Sequence, residues 1–178
     1  MNLKSRFKNL LYFGPRFILV ALFMLLVGSM ALSNFDVLEP YLLPLHLAQG
    51  AIVPYGTNLT LGHYPQMYEL ERLKKERGID LDISLLDDSL PQERVLNEQL
   101  ARRARDLGIG FKSVPLNYIR LNGEVNKEKL AQLVAFIRAN GARKIYIHCY
   151  LGRHRVKAVH DELVKQGMIR EAHLAKGA

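Results

Sequence analysis

A chain of 178 residues, 49% of them apolar, has room for one domain with a real core plus an appendage, which excludes a disordered or low-complexity polymer. The single cysteine, Cys149, excludes an intrachain disulfide, and the six scattered histidines form no Cys/His cluster at zinc spacing, so neither a metal nor a cofactor is expected. The formal charge of +8 is uneven: Lys4, Arg6, Lys8 and Arg16 precede every acidic residue and leave about +4 for the remainder, which suits an anionic substrate or surface. No basic stripe interleaves with aromatic residues, so there is no case for nucleic acid as a partner.

Phe17 to Leu32 is an unbroken apolar run that reaches Phe35 if Ser33 and Asn34 are admitted. A bilayer core takes about 20 helical residues, so the run is just long enough to span. Pro15 stands near its start, basic residues precede it, Asp36 and Glu39 follow, and the next cation is Arg72. The positive-inside tendency then keeps the amino terminus in the cytosol and sends the rest across the membrane, into the periplasm if the source is bacterial. A cleaved signal peptide with Ser29-Met30-Ala31 as its processing site competes with this reading. The long basic lead and the apolar residues past Ala31 favour a single-pass anchor. Residues 1–36 are therefore expected as lead and membrane anchor, and 37–57, punctuated by Pro40, Pro44 and Pro54, as a linker near the membrane surface or a loop packed on the domain.

The remaining stretch, 58–178, reads as one domain. Asn58 to Pro65 is an entry strand and turn, and Met67 to Arg77 a helix with Met67, Leu70 and Leu73 on one face, stopped by Gly78. Ile79 to Leu86 is a strand with Asp87 and Asp88 at its carboxyl end, and Ser89, Pro91 and Glu93 open a helix running to Leu107 before Gly108. Phe111 to Leu116 is a strand, Lys127 to Asn140 a helix, Lys144 to His148 another strand, and Val156 to Lys165 a final helix before Gly167. Alternation of this kind implies an α/β fold with a mainly parallel sheet flanked by helices. Sites in such sheets lie at the carboxyl ends of the strands, where Cys149 falls.

The loop after that strand carries the chemistry. Cys149 is followed by five residues, Tyr150-Leu151-Gly152-Arg153-His154, and then by Arg155. A strand–loop–helix turn directs backbone N–H groups and the positive end of a helix dipole into one concavity, which suits a phosphate dianion. The same features favour the thiolate of a cysteine placed there. Arg155 can grip two phosphate oxygens with its planar fork. The competing bland reading is a buried structural cysteine at a strand end.

His148-Cys149, five residues and Arg155 resemble the signature of the protein tyrosine phosphatase superfamily. Gly152 stands where the dual-specificity branch has its glycine, and Gly152-Arg153-His154-Arg155 is similar to the Gly-Lys-His-Arg run of atypical dual-specificity phosphatases of fungi and plants. Gly62-His63-Tyr64-Pro65 and Ile83-Ser84-Leu85-Leu86 look like the opening of bacterial dual-specificity-like phosphatases. The resemblance implies a phosphatase that forms a phosphocysteine intermediate. Cys149 would be its nucleophile, Arg155 would stabilise the equatorial oxygens, and Tyr150 to Arg155 would hold the phosphate. Val156 departs from the pattern, since the family usually has Ser or Thr directly after the arginine.

Relatives also place an acidic Asp on the loop before the penultimate helix. Here that loop, Asn117 to Asn126, holds Glu124 as its only carboxylate, with Asn117 and Asn122 nearby. Glu124 is the candidate acid, although a carboxylate favoured by the dipole of the Lys127 helix is the simpler explanation of it. Asp87 and Asp88 are alternatives, and His148 is read as an orienter of the loop. The substrates implied are a phosphorylated protein, or a phospholipid or inositol phosphate. A degenerate module that binds phosphorylated ligands without turnover is the second reading, motivated by the missing Asp and by Val156. A rhodanese-like sulfur transferase is the third.

Overall fold

The computed structural model describes residues 3–170 apart from Asn122, which, like the tail 171–178, lies outside the described residues. Helix α1 runs from Leu3 to Ser33, and its stretch Arg16–Ser33 has a mean hydropathy of 2.1 with none of it buried against the protein. It is the one described helix long and apolar enough to cross a membrane. Two short helices follow, α2 (Phe35–Leu38) and α3 (Leu43–Leu47), joined through a 3-10 turn at Glu39–Tyr41. Proline at the first positions of that turn supplies the fixed φ that starts it and lacks the N–H that would be left unpaired.

Five strands form a single sheet in the order β1-β2-β5-β3-β4. They are β1 (Val53–Tyr55), β2 (Leu59–His63), β3 (Leu81–Ser84), β4 (Gly110–Ser113) and β5 (Ile145–Cys149). Only β1 runs antiparallel, pairing Val53 with Leu61, and the other pairs are parallel. The α/β reading with a mainly parallel sheet therefore holds. β1 falls within the stretch 37–57, which thus adds an edge strand to the sheet.

Four helices cover the sheet: α4 (Met67–Arg77), α5 (Pro91–Asp106), α6 (Glu124–Ala139) and α7 (His154–Lys165). The α4 start is tied by a capping box, in which Gln66 and Glu69 exchange side-chain-to-backbone bonds, and its end by Gly78 at φ +68°. Helix α6 begins three residues earlier than its apolar pattern suggests, with Gly123 as N-cap, so Glu124 opens its first turn. Strand β4 stops at Ser113, shortly before Pro115, which has no ladder donor to offer.

Alternation along β5 splits the core in two. Ile145, Ile147 and Cys149 face a cluster with Leu133, Ile137, Val159 and Leu163 of α6 and α7. Tyr146 faces the other cluster, with Leu70, Leu73, Leu96 and Leu100 of α4 and α5. Each buried Leu or Ile contributes roughly 1.5–3 kcal/mol, so the register of β5 is held from both sides. A slip of one residue would turn Cys149 onto the wrong face.

Candidate active site

Cys149 ends β5 almost fully buried, opposite His63 of β2 in the parallel register. The chain then turns through Tyr150–Arg153 into α7. Gly152 makes that turn possible, because its φ is +65° and a Cβ there would come within 2.6 Å of the His63 amide nitrogen. No side chain fits. The loop is braced from outside by the Gly50 N–H, which donates to the Leu151 carbonyl at 2.8 Å, and by the Tyr64 N–H, which donates to the Tyr150 carbonyl at 3.1 Å.

Arg155, in the first turn of α7, points back beneath this loop and is 4% exposed. Its guanidinium donates to both carboxylate oxygens of Glu93, at 2.7 and 2.6 Å, and to the Leu85 carbonyl at 3.0 Å. Glu93 also accepts the Asp87 N–H at 2.5 Å, which fixes the carboxylate between α5 and the end of β3. Burial alone would lower the Arg155 pKa, but the Glu93 bonds and charge, together with the Cys149 sulfur, outweigh it and raise the value. Arg155 is thus a permanent, oriented cation beside the thiol.

Cys149, Tyr150, Leu151, His154 and Arg155 line a cavity of about 300 Å³ with Glu93 and Tyr118. Of the expected phosphate-binding residues, Gly152 lies buried behind the loop, and Arg153 is exposed at the N-cap of α7, beside Gly50. Tyr118 meets the His154 ring edge-on at 5.5 Å, which closes one wall. Its loop is tied by Asn126, whose amide donates to the carbonyls of Asn117 at 2.8 Å and Arg120 at 2.9 Å. Tyr150 donates to Glu39 at 3.4 Å, and burial followed by the Glu39 charge and bond raises its pKa, so it stays a neutral donor.

His148 occupies the opposite face of β5, fully buried. Its Nε2 stands 3.3 Å from the Asp82 carboxylate without hydrogen-bond geometry, and its ring stacks on Tyr146 at 5.5 Å. That position suits an orienter of the strand end and keeps the ring out of the cavity. Burial first, and the Asp82 and Glu69 charges after it, hold the Tyr146 pKa well above its ordinary value, and its hydroxyl donates to the His63 carbonyl at 2.5 Å.

The carboxylates considered as acids lie to one side. Glu124 is 86% exposed, pairs with Lys127 at 2.6 Å and lines a neighbouring cavity of about 410 Å³ with Asp87, Asn117 and Arg120. Asp87 is nearly buried and accepts from Ser89 Oγ at 2.7 Å and from Asn117 Nδ2 at 3.2 Å. Asp88 accepts from Asn97 and from Ser113 Oγ. Val156 is buried in the core cluster that also contains Cys149.

Sequence reasoning assigned Glu93 only to the opening of a helix. A buried arginine requires a carboxylate partner, and a glutamate in the first turn of the helix after β3, the strand beside β5, was the available signal.

Two crystal structures of a "Putative phosphatase (DUF442)" from Shewanella putrefaciens CN-32 superpose on this chain. One gives a TM-score of 0.56 at 17% identity over 72% of this chain and 78% of that one. The other gives 0.55 at 18% identity, over 67% and 71%. The chain shares their fold. The core catalytic domain of PP-IP phosphatase SIW14 from S. cerevisiae, in complex with citrate, aligns with a TM-score of 0.44 at 15% identity over 70% of this chain and 83% of that chain. No protein-family model and no curated protein matches the chain. In the shared fold the site described above sits at the carboxyl end of a central parallel strand, the usual place for ligands in open α/β sheets.

Proposed function

We propose that this chain is a cysteine-dependent phosphatase that hydrolyses phosphate monoesters through a phosphocysteine intermediate. The observation that carries the reading is the Arg155 guanidinium, buried, clamped by Glu93 and lining one small cavity with the Cys149 thiol. A phosphate dianion seated there meets a fixed cation and the amino-terminal end of α7. Cys149 Sγ attacks phosphorus, the P–O bond to the leaving alcohol breaks, and the alcohol takes a proton. Water then attacks the phosphocysteine, which releases phosphate and returns the thiolate. Tyr150, Leu151, Gly152, Arg153 and His154 form the phosphate loop. Glu124 is the proposed proton donor to the leaving oxygen, with Asp87 as the alternative in the same neighbouring cavity.

Helix α1 is proposed as the single membrane anchor, with the catalytic domain outside the cytosol. Fusion of reporters active only inside or only outside the cytosol to the carboxyl end tests this orientation. The second reading, a module that binds phosphorylated ligands with little turnover, is favoured by one observation. Val156 is buried where the family pattern would put a hydroxyl. Assay of the full chain against an aryl phosphate, phosphopeptides, phospholipids and inositol phosphates separates the two. Phosphate release that disappears in Cys149→Ser supports the phosphatase. Tight binding without release supports the module.

A further inference from the structure

The site is tied directly to the segment that leaves the anchor. Phe35 comes two residues after the end of α1, and its ring meets the Tyr150 ring edge-on with centroids 6.1 Å apart. Glu39, 1% exposed, accepts from Gln66 Nε2 at 2.9 Å on both oxygens and from the Tyr150 hydroxyl at 3.4 Å. His46 Nε2 lies 2.9 Å from the Glu39 carbonyl, and Gly50 donates to Leu151. Helix α2 packs against α5, the helix that supplies Glu93, and α1 comes close to it without burying its apolar stretch. The chain from the membrane span to the phosphate loop is therefore a packed joint.

The distances that follow are short. Two residues reach at most about 7 Å, and a head-group layer is roughly 5–8 Å deep on each side of the hydrocarbon. With the apolar span of α1 ending at the hydrocarbon boundary, Phe35 lies in the head-group layer, and Tyr150, a lining residue of the cavity, is one ring contact away. The joint also turns apolar side chains outward: Val37 is 62% exposed, Tyr41 83% and Leu47 77%. A water-facing surface gains nothing from these residues, whereas a surface continuous with a membrane span places them in the interface. Arg153, exposed at the start of α7, adds a positive charge to the loop.

We infer that the substrate is a phosphomonoester carried on a lipid head group of the bilayer in which α1 is inserted. The inference rests on the phosphatase and anchor readings above. A lipid diffusing in the plane presents its phosphate at the depth of the cavity mouth. A folded phosphoprotein would have to reach into the head-group layer to do so.

The test uses the full chain reconstituted in phosphatidylcholine vesicles. Phosphatidic acid in those vesicles is compared with glycerol phosphate in solution, a phosphatidylinositol phosphate with the matching inositol phosphate, and both with a phosphotyrosine peptide. Confinement to the surface is expected to raise kcat/KM for at least one lipid over its soluble head group by on the order of 10²-fold. Equal values for lipid and head group, or a phosphopeptide that exceeds both lipids, overturns the inference. An aryl phosphate run alongside keeps the two readings distinct. If it is hydrolysed through Cys149 while the lipids are not preferred, the phosphatase stands and the lipid inference falls. If nothing is hydrolysed, both fall. The chain has no tryptophan, so Tyr41→Trp introduces a single reporter. Its quenching by lipids brominated near the head group is expected, and an unquenched reporter overturns the placement.

Discussion

Replacing Glu93 by Ala removes the carboxylate that holds Arg155 while leaving the arginine buried and charged. The two side chains are 5% and 12% exposed, so solvent screens the pair little. Arginine does not shed its proton, and of the partners described the Leu85 carbonyl and the Cys149 sulfur would remain. Removing one member of a buried pair costs about 3–5 kcal/mol. For a chain of this length each kcal/mol moves Tm by about 2–4 °C, so thermal unfolding in detergent should fall by about 6–20 °C. Glu93→Gln keeps the shape and one acceptor and should fall by less. A misplaced clamp near the reacting atoms should lower kcat/KM by about 10²-fold. A phosphate dianion restores the missing negative charge, so inorganic phosphate or vanadate should raise Tm more in Glu93→Ala than in the parent. A ligand at a hundredfold excess over Kd contributes about 2.7 kcal/mol, so the difference is measurable. A Tm unchanged within about 2 °C, with parent activity, would refute the assignment of Glu93 as the partner that holds Arg155 in place.

Gly152→Ala would put a Cβ 2.6 Å from the His63 nitrogen at φ +65°, so calorimetry should show phosphate binding lost before the fold is, and parent affinity would mean the loop is looser than described. Glu124→Gln should lower turnover on alkyl phosphates more than on aryl phosphates, whose leaving groups need little protonation; if only Asp87→Asn shows that pattern, the acid is Asp87. Val156→Thr should raise steady-state turnover and shrink the burst of leaving group, because a hydroxyl there can donate to the departing sulfur. An unchanged burst with slower turnover makes the valine a packing residue.

The parts of the fold that were legible in the sequence are those set by local chemistry. Gly78 and Gly108 ended their helices at left-handed φ, and Ile145, Ile147 and Gly152 marked the strand and loop around Cys149. The parts that were not legible depend on partners distant in the chain. Glu39 stood in the sequence only as an acid following an apolar run, and it is buried, with Gln66 and Tyr150 reaching it from elsewhere. Its prolines marked the stretch 37–57 as irregular but said nothing of what it packs against. Glu93 and Arg155 are separated by 62 residues and meet only because β3 and β5 are neighbours. Glu124 was assigned to the loop before α6 and lies in the first turn of that helix, because its N-cap is Gly123, where Ser, Thr, Asp or Asn would have announced the helix.

Passage of the phosphoryl group through Cys149, as proposed above, is open to direct measurement. The direct measurement is acid quenching of the full chain during turnover of an aryl phosphate, followed by mass spectrometry of the peptide containing Cys149. A fraction of that peptide heavier by one phosphoryl group is expected, accumulating within the burst and absent from Cys149→Ser. A serine variant that releases phosphate at the parent rate, with no phosphorylated peptide in either protein, would contradict it.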